Sequence, residues 1–295
     1  MKCIVFGASG YLGGNLAAYL EANGNTVNHG LQFNPRLDLR DPSSIADIDW
    51  NVDCVFFMAG RTGTLDSFDR YQDFLMDNQL ILLNVLDSIR KSSYRPKIVF
   101  PSTRTVYKGQ DQALTVSSKL ESRTLYAANK IACEQILYAY HSAYDVPFLV
   151  LRICVPYGNN VGNAHSYGTL KFFLEQWNNN KKIVLFGDGS AKRTLSHIDD
   201  VCKAFYGLAK STHLVNSIFN VPGETYTLAE LALLITNSPE QIIFQEWPEM
   251  HLKIETGSTF FEYQNLDVKQ MIQPNGQLKR WISEMRSKGV IDVEC

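Results

Sequence analysis

Apolar runs and amphipathic segments alternate along the first half of the chain. Four short runs are mostly apolar and predict buried strands: 2–6, 53–58, 97–100 and 148–154. Three segments between them carry apolar side chains at helical spacing and predict helices: 12–22, 78–90 and 122–144. Buried strands that alternate with helices are typical of a doubly wound parallel sheet. The pattern therefore predicts an α/β fold.

The second half is less regular. Residues 155–167 are rich in Gly, Asn and Pro, and helical and strand signals return at 198–208 and 218–221. These late signals are expected to rejoin the first sheet. No Pro/Ser-rich linker divides the halves. We expect one domain from 1–155 with about 197–222, and a smaller mixed C-terminal domain from about 156–196 and 223–295.

Composition narrows the classes of partner. The chain has 295 residues and a net charge of −2, so nucleic acid and anionic membrane surfaces are not expected partners. The apolar run Cys3–Phe6 is too short for a secretory signal, and no run approaches the roughly 18 residues of a membrane helix. The six cysteines form no CxxC pair. We expect reduced thiols, no metal site and a cytoplasmic protein.

A glycine-rich loop follows the first predicted strand. The sequence Gly7-Ala8-Ser9-Gly10-Tyr11-Leu12-Gly13 lies between that strand and the first predicted helix. Glycines permit a tight turn, and the helix N-terminus offers unpaired N–H groups to a pyrophosphate. The loop therefore predicts dinucleotide binding. Its expected contacts are Gly7, Ser9, Gly10, Tyr11, Leu12 and Gly13.

This loop, together with the strand that ends in Met58-Ala59-Gly60, resembles the extended short-chain dehydrogenase/reductase family. The resemblance implies a Rossmann-like fold, with the smaller domain binding substrate. It also implies an NAD(P) cofactor and a nucleotide-sugar substrate. Asp38 matches the family's acidic residue near the adenine. The other implied cofactor contacts are Leu39, Met58, Ala59, Gly60 and Asn78.

The region after the second strand decides between NAD and NADP. In this family a carboxylate there usually holds the adenosine ribose of NAD. Residues 27–32 contain no acid, and His29 and Arg36 are nearby cations. The sequence therefore favours NADP through Arg36, and NAD stays an alternative.

Tyr126 and Lys130 are four residues apart on a predicted helix and so share one face. A nearby ammonium favours phenolate and should lower the pKa of Tyr126 toward a usable range. Tyr167/Lys171 and Tyr206/Lys210 have the same spacing, so position in the fold must decide. Tyr126 alone lies on the predicted helix that comes next after the segment Phe100–Tyr107.

That segment resembles the family's Ser-Ser/Thr-x-x-Val-Tyr-Gly motif. The resemblance places Thr103 on the reacting sugar oxygen, with Ser102 as the alternative, and makes Thr103, Tyr126 and Lys130 the expected triad. Both Tyr126 and Lys130 should also contact the cofactor. Arg104 and Thr105 stand where the family's dehydratases carry Asp and Glu. The chain is therefore not expected to be a dehydratase.

Residues 186–201 resemble the family's substrate segment. The resemblance implies that Arg193 contacts the nucleotide diphosphate. The alternative is a structural ion pair between Arg193 and Asp188 or Asp199. Val155 stands where the family usually carries a substrate-binding Asn. The expected substrate contacts are Thr103, Arg104, Val155 and Arg193. Leu266–Lys269 resembles a further motif near the family's C-terminus.

The resemblance leaves two main reactions. The short segment before Asp38 favours reduction of a 4-keto sugar nucleotide with Tyr126 as general acid. The alternative is a nucleotide-sugar 4-epimerase with tightly held NAD. A third possibility, from another class, is a non-catalytic dinucleotide-binding regulator. The helices 78–90 and 126–144 match the family's dimer faces, so a homodimer is expected.

Overall fold

A computed structural model describes residues 1–29, 37–159, 161, 168–261 and 277–291 of the chain. The strands in these ranges are β1 (Lys2–Phe6), β2 (Thr26–Asn28), β3 (Cys54–Phe57), β4 (Lys97–Thr103), β5 (Phe148–Ile153), β6 (Val155–Tyr157), β7 (Ile183–Phe186), β8 (Lys192–His197), β9 (Ser217–Asn220), β10 (Glu224–Thr227) and β11 (Ile242–Gln245). The α-helices are α1 (Tyr11–Ala22), α2 (Asp66–Asp69), α3 (Tyr71–Phe74), α4 (Ile81–Lys91), α5 (Leu125–Tyr144), α6 (Thr169–Asn180), α7 (Ile198–Lys210), α8 (Leu228–Thr236), α9 (Glu249–Ile254) and α10 (Gln277–Ser287).

Six strands form a parallel sheet in the order β2-β1-β3-β4-β5-β9. The order reverses between β1 and β3, because β2 is added on one side of β1 and all later strands on the other. Ligands of open α/β sheets bind beyond the carboxyl ends of the strands at such a reversal. Gly7, Met58 and Arg104 directly follow β1, β3 and β4 at this edge.

The sheet is buried on both faces, as its continuous apolar strands predict. Val5 and Phe56 face a cluster that contains side chains of α1 and α7. Ile4 and Val55 face the opposite cluster, which contains side chains of α4 and α5. The prediction of a doubly wound α/β sheet is confirmed.

Two smaller sheets lie in the second half of the chain. β8 pairs antiparallel with β10 and parallel with β6, and β7 pairs parallel with β11. They pack with α6, α8 and α10 around a separate apolar cluster that includes Trp177, Leu231 and Trp281. The smaller mixed part predicted for the C-terminal half is therefore present.

Helix starts differ from the sequence pattern for local reasons. The helix predicted from residue 122 begins at Leu125, because the Thr124 side chain accepts a hydrogen bond from the Ala127 N–H and caps it. The helix predicted from Asn78 is preceded by a π-helical turn, Leu75–Leu80. Such turns occur often at functional sites.

Asp199 and Asp200 lie in the first turn of α7, and His197 is the capping residue. Cys3, Cys54, Cys133, Cys154 and Cys202 are free thiols. Within the described ranges, no helix has the length and apolar character needed to cross a bilayer.

Candidate functional site

The glycine loop joins β1 to α1 through contacts that leave no room for side chains. Gly7 has a φ of +82°, and a Cβ there would lie 2.5 Å from the backbone nitrogen of Ala59. A Cβ on Gly13 would lie 2.2 Å from the Gly7 carbonyl oxygen. Gly10 precedes α1 without a side-chain cap, so the helix N-terminus keeps N–H groups for a ligand. The loop has the donor chemistry that a pyrophosphate requires.

The neighbours of this loop come from a distant part of the chain. The Tyr11 hydroxyl donates to the Gly158 carbonyl at 2.7 Å, and the Asn15 amide donates to Asn159 Oδ1 at 2.8 Å. These two hydrogen bonds join the start of α1 to the loop after β6. Of the other predicted contacts in the glycine loop, Ser9 is exposed and Leu12 is half-buried.

A second group of predicted cofactor residues lines an open cavity of about 380 Å³. Its lining residues are Asp38, Leu39, Arg40, Gly60, Arg61, Asp77 and Ile81. Asp77 forms ion pairs with both Arg40 and Arg61, each at 2.8 Å. The carboxylate therefore balances part of the positive charge at this cavity.

Asn78 supports the edge of the same region. It is buried, its amide donates to the Phe74 carbonyl at 2.9 Å, and its Oδ1 accepts from the Arg61 N–H at 3.2 Å. A Cβ on Gly60 would lie 2.8 Å from that oxygen. Asn78 therefore fixes the turn after β3.

Met58 and Ala59 continue β3, and the Met58 N–H donates to the Phe6 carbonyl at 2.9 Å.

Arg36, the residue on which the NADP expectation rested, lies outside the described residues, as do Tyr167 and Leu266–Lys269. His29, the other cation of that expectation, contacts Glu21 at 2.8 Å.

Tyr126 lies in the first turn of α5, and Thr103 is the last residue of β4. Burial raises the pKa of Tyr126 to about 12, while a hydrogen bond from Thr103 and the charge of Arg104 lower it. The structure therefore brings Thr103 and Tyr126 together. Ser102, the alternative to Thr103, donates instead to Glu134 Oε1 at 2.5 Å.

Lys130 is on the same face of α5, one turn after Tyr126, and is buried. Its Nζ donates to the Pro101 carbonyl at 3.0 Å and lies 4.5 Å from the centre of the Phe100 ring. Burial lowers the pKa of Lys130. The charge of Arg104 lowers the pKa of Tyr126, and the expectation that Lys130 also lowers it stays a prediction.

A cavity of about 150 Å³ opens beside these residues. Its walls are Thr64, Leu65, Arg104, Thr105, Arg123, Thr124, Trp247, His251, Ile254, Glu255 and Thr256. Thr105 Oγ1 contacts Thr103 Oγ1 at 3.2 Å, and Thr124 caps the helix that carries Tyr126. The cavity therefore has one wall next to the predicted triad.

Another part of the cavity wall is formed by His251 and Ile254 of α9 and by Glu255 and Thr256, which begin the segment 255–261. This segment is bonded to both halves of the chain: the Leu114 N–H donates to the Phe260 carbonyl at 2.7 Å, and the Thr259 N–H donates to the Lys192 carbonyl at 2.9 Å. Sequence analysis did not identify Trp247, His251 or Glu255. Nothing in their local pattern indicates a site more than 100 positions away from Tyr126.

Arg193 is buried next to the segment 255–261. It pairs with Glu255 at 3.0 Å and donates to the Gly257 carbonyl at 2.6 Å. Burial, followed by the charge of Arg104, lowers its pKa to about 10. Its Nε is buried without a hydrogen-bond partner. The ion-pair alternative is thus present, but with Glu255 rather than Asp188 or Asp199.

Val155 does not line this cavity. It is 3% exposed and belongs to the apolar cluster of the second half, opposite Leu195 in the β6–β8 pair. The expectation that Val155 contacts substrate is corrected by this position, because β6 turns its side chain into the core.

A buried ion pair behind the site was also missed by sequence analysis. Arg152 of β5 contacts Glu134 of α5 at 2.5 Å, with both side chains at most 2% exposed. Arg152 also donates to the Tyr107 hydroxyl at 2.7 Å. The sequence does contain a sign of this pair: Arg152 lies within an apolar strand, and Glu134 follows Lys130 by one helical turn. In the described residues, no cluster of His, Cys, Asp and Glu could hold a metal ion.

A sequence model of the NAD dependent epimerase/dehydratase family matches residues 3–221. The chain is 24% identical over 182 residues to an uncharacterized UDP-glucose epimerase of Bacillus subtilis (strain 168), which covers 61% of this chain and 56% of that protein. It is 27% identical over 156 residues to a UDP-glucuronate 4-epimerase of Thermodesulfobacterium geofontis, which covers 52% of this chain and 47% of that protein. The chain therefore spans about half the length of these curated relatives.

Among solved structures, a UDP-N-acetylglucosamine 4-epimerase of Methanobrevibacter ruminantium in complex with UDP-N-acetylmuramic acid superposes with a TM-score of 0.80. It is 21% identical, and the match covers 98% of each chain. At this identity the likeness shows a shared fold. The family match across residues 3–221 identifies the chain as a member of the NAD dependent epimerase/dehydratase family, within the extended short-chain dehydrogenases/reductases.

Proposed function

We propose that the protein is an NAD-dependent nucleotide-sugar 4-epimerase. The observation that carries the proposal is the position of Tyr126 next to Thr103, at the same edge of the sheet as the glycine loop. In the proposal this phenol transfers the proton, on the edge of the sheet where the expected cofactor residues lie. The pair also argues against a non-catalytic regulator, which has no need for a phenol hydrogen-bonded in this way.

The residues present fit NAD. The close contacts of Gly7 and Gly13 leave backbone N–H groups to hold the pyrophosphate, and Asp38, Leu39 and Gly60 surround a cavity suited to the adenosine. Bound NAD would supply the hydride acceptor and donor for the sugar carbon. The chain's own task is to orient the sugar and to move the hydroxyl proton.

Tyr126 is the group proposed to move that proton. As a phenolate it accepts the proton of the C4 hydroxyl, and as a phenol it returns a proton when the opposite face has been reduced. Thr103 holds the hydroxyl oxygen and favours phenolate through its hydrogen bond, and Arg104 favours it through its charge. Lys130 supports this end of the site through its contacts with Pro101 and Phe100.

Two observations support epimerisation over the other reactions. Arg104 and Thr105 line the cavity at the positions where the family's dehydratases carry acids, so the chain lacks that pair for removing a hydroxyl group. Asp77 pairs with Arg40 and Arg61, and Glu21 contacts His29, which leaves these three side chains less suited to the 2′-phosphate of NADP. The reductase that the sequence favoured needs an exchangeable reduced cofactor, and the comparisons give it no specific support.

Two structural proposals accompany this function. Residues 1–155 with 197–222 are proposed to form the dinucleotide-binding domain, since β9 joins the six-stranded sheet, and 156–196 with 223–295 the substrate domain. A homodimer through α4 and α5 is also proposed. Tyr138 of α5, and Leu75 and Met76 of the π-helical turn before α4, have exposed side chains that offer apolar surface to bury.

The proposed function is tested by supplying nucleotide-sugars with a trace of NAD and recording the products by NMR. An epimerase forms the C4 epimer with no net change in absorbance at 340 nm. Stoichiometric consumption of NADPH with a 4-keto sugar nucleotide, and no epimer from any nucleotide-sugar, would replace the proposal with the reductase.

A further inference from the structure

Among the described residues, the arginines around the small cavity outnumber their carboxylate partners. Three arginines lie at or beside it, namely Arg104, Arg123 and Arg193. Two of them have carboxylate partners: Arg193 pairs with Glu255 at 3.0 Å, and Arg123 pairs with Glu121. In the part of the chain that the structure describes, Arg104 forms no ion pair with a carboxylate. One positive charge at the cavity is therefore unbalanced.

Arg104 is held in place by a neutral partner. Its Nη1 donates to the Thr259 hydroxyl at 2.8 Å, and Thr259 lies opposite Arg193 in an isolated β-bridge. The charge of Arg104 acts on both Tyr126 and Arg193 and lowers the pKa of each. The guanidinium therefore lies between the proposed proton-transferring tyrosine and the segment 255–261.

Arg104 belongs to the wall nearest the triad. It directly follows Thr103, and it shares that wall with Thr105 and Thr124. The rest of the cavity includes the apolar side chains of Leu65, Trp247 and Ile254. An ion pair formed against apolar walls is screened less than one at the surface. An anion that enters here would therefore be bound through Arg104.

The size of the cavity indicates which part of a nucleotide-sugar it receives. Its volume of about 150 Å³ is smaller than the roughly 300–1,000 Å³ of pockets that enclose a whole ligand. The sugar must also reach Thr103 and Tyr126 for the proposed reaction. The cavity is thus suited to the sugar end of the substrate, beside the reacting carbon.

We propose that Arg104 binds a carboxylate on the sugar ring, so that the preferred substrates are acidic nucleotide-sugars of the uronic acid kind. The planar guanidinium meets a carboxylate through two parallel hydrogen bonds, which a neutral hydroxymethyl group does not offer. Arg104 is then a specificity-determining residue. This inference rests on the proposed function, because it assumes that a sugar is bound at Tyr126.

The test uses UDP-glucuronate and UDP-glucose, which differ only in a carboxylate or a hydroxymethyl group, together with UDP alone. Binding is measured by calorimetry on the NAD-bound protein in a Tyr126→Phe background, which prevents turnover. We expect UDP-glucuronate to bind at least about 10-fold more tightly than UDP-glucose, and Arg104→Gln to weaken UDP-glucuronate alone by about 10- to 100-fold.

Arg123→Gln is the matched control, because it removes a cation from the same cavity that already has a carboxylate partner. It is expected to keep the ratio of the two affinities. Equal weakening of all three probes by Arg104→Gln would assign Arg104 to the diphosphate and overturn the inference.

Equal affinity for both sugars, or binding of neither, also overturns it. A separate assay, epimerisation by the wild-type protein, decides whether the proposed function fails as well. If the wild-type protein epimerises a neutral nucleotide-sugar, only the inference about Arg104 is lost, whereas absence of epimerisation with every nucleotide-sugar ends both.

Discussion

Tyr126 has a pKa raised to about 12 by its burial, yet the proposed reaction needs its phenolate. Two features of the site reduce this cost: the hydrogen bond from Thr103 and the charge of Arg104. The basicity of the Tyr126 phenolate, and so its ability to take up the proton, therefore depends largely on its neighbours.

Replacement of Tyr126 by phenylalanine should lower kcat by about 10²- to 10⁴-fold, the usual contribution of a positioned acid or base. NAD affinity should change little, because the ring and its contact with Phe74 are kept. Steady-state kinetics and an NAD titration measure the two effects. A variant with wild-type kcat would remove Tyr126 from the mechanism.

Loss of the positive charge in Arg104→Gln should move the pH dependence of kcat. The charge of Arg104 lowers the pKa of Tyr126, so its removal raises that pKa. Less phenolate is then present at a given pH, and the acidic limb of the profile shifts to higher pH. The measurement is kcat against pH, with Arg104→Lys as the control that keeps the charge. A shift to lower pH, or the same shift in both variants, would contradict this role.

Among the structural elements, the loop between β1 and α1 depends on contacts between backbone atoms. In Gly13→Ala the new methyl group would lie 2.2 Å from the Gly7 carbonyl oxygen, so the loop must open. We expect NAD affinity to fall by more than 10-fold and stability by about 1–3 kcal/mol, as for other overpacked sites. Fluorescence titration and urea denaturation measure both.

Gly24→Ala provides the matched control for this loop. Gly24 follows α1 and has a φ of +73°, and a Cβ there would meet no atom of a non-adjacent residue within 4 Å. The substitution should cost stability through backbone strain while NAD affinity is kept. Equal loss of NAD affinity in the two variants would mean that the close contact at Gly13 is not what the cofactor requires.

The buried pair of Arg152 and Glu134 joins β5 to α5, the helix that carries Tyr126 and Lys130. Arg152→Met leaves the Glu134 carboxylate buried without its partner and should reduce the free energy of unfolding by about 3–5 kcal/mol. The double variant Arg152→Met with Glu134→Leu should lose less, since no buried charge remains. Urea denaturation of both tests this. If the double variant is the less stable one, the pair itself stabilises the fold.

At the scale of the whole molecule, the four strands β1, β3, β4 and β5 of the six-stranded sheet were predictable because they are almost wholly buried and so are mostly apolar. The glycine loop and Tyr126 were predictable because each needs a local spacing of residues. Trp247 and Glu255 were not, because tertiary contacts bring them to the cavity: Trp247 packs on Phe186, and Glu255 begins the segment 255–261, which is bonded to Leu114 and Lys192. Val155 was misassigned because a sequence match does not show that β6 turns this side chain into the core.

The central claim is that a hydride leaves C4 of the sugar and returns to the same carbon while the cofactor stays bound. UDP-glucuronate and UDP-glucose deuterated at C4, incubated in ordinary water with a trace of NAD, test this most directly, with the product analysed by NMR. The account predicts a C4 epimer that keeps its deuterium and does not form in the Tyr126→Phe variant. An epimer that has lost deuterium to the solvent, or no epimer from either substrate, would contradict it.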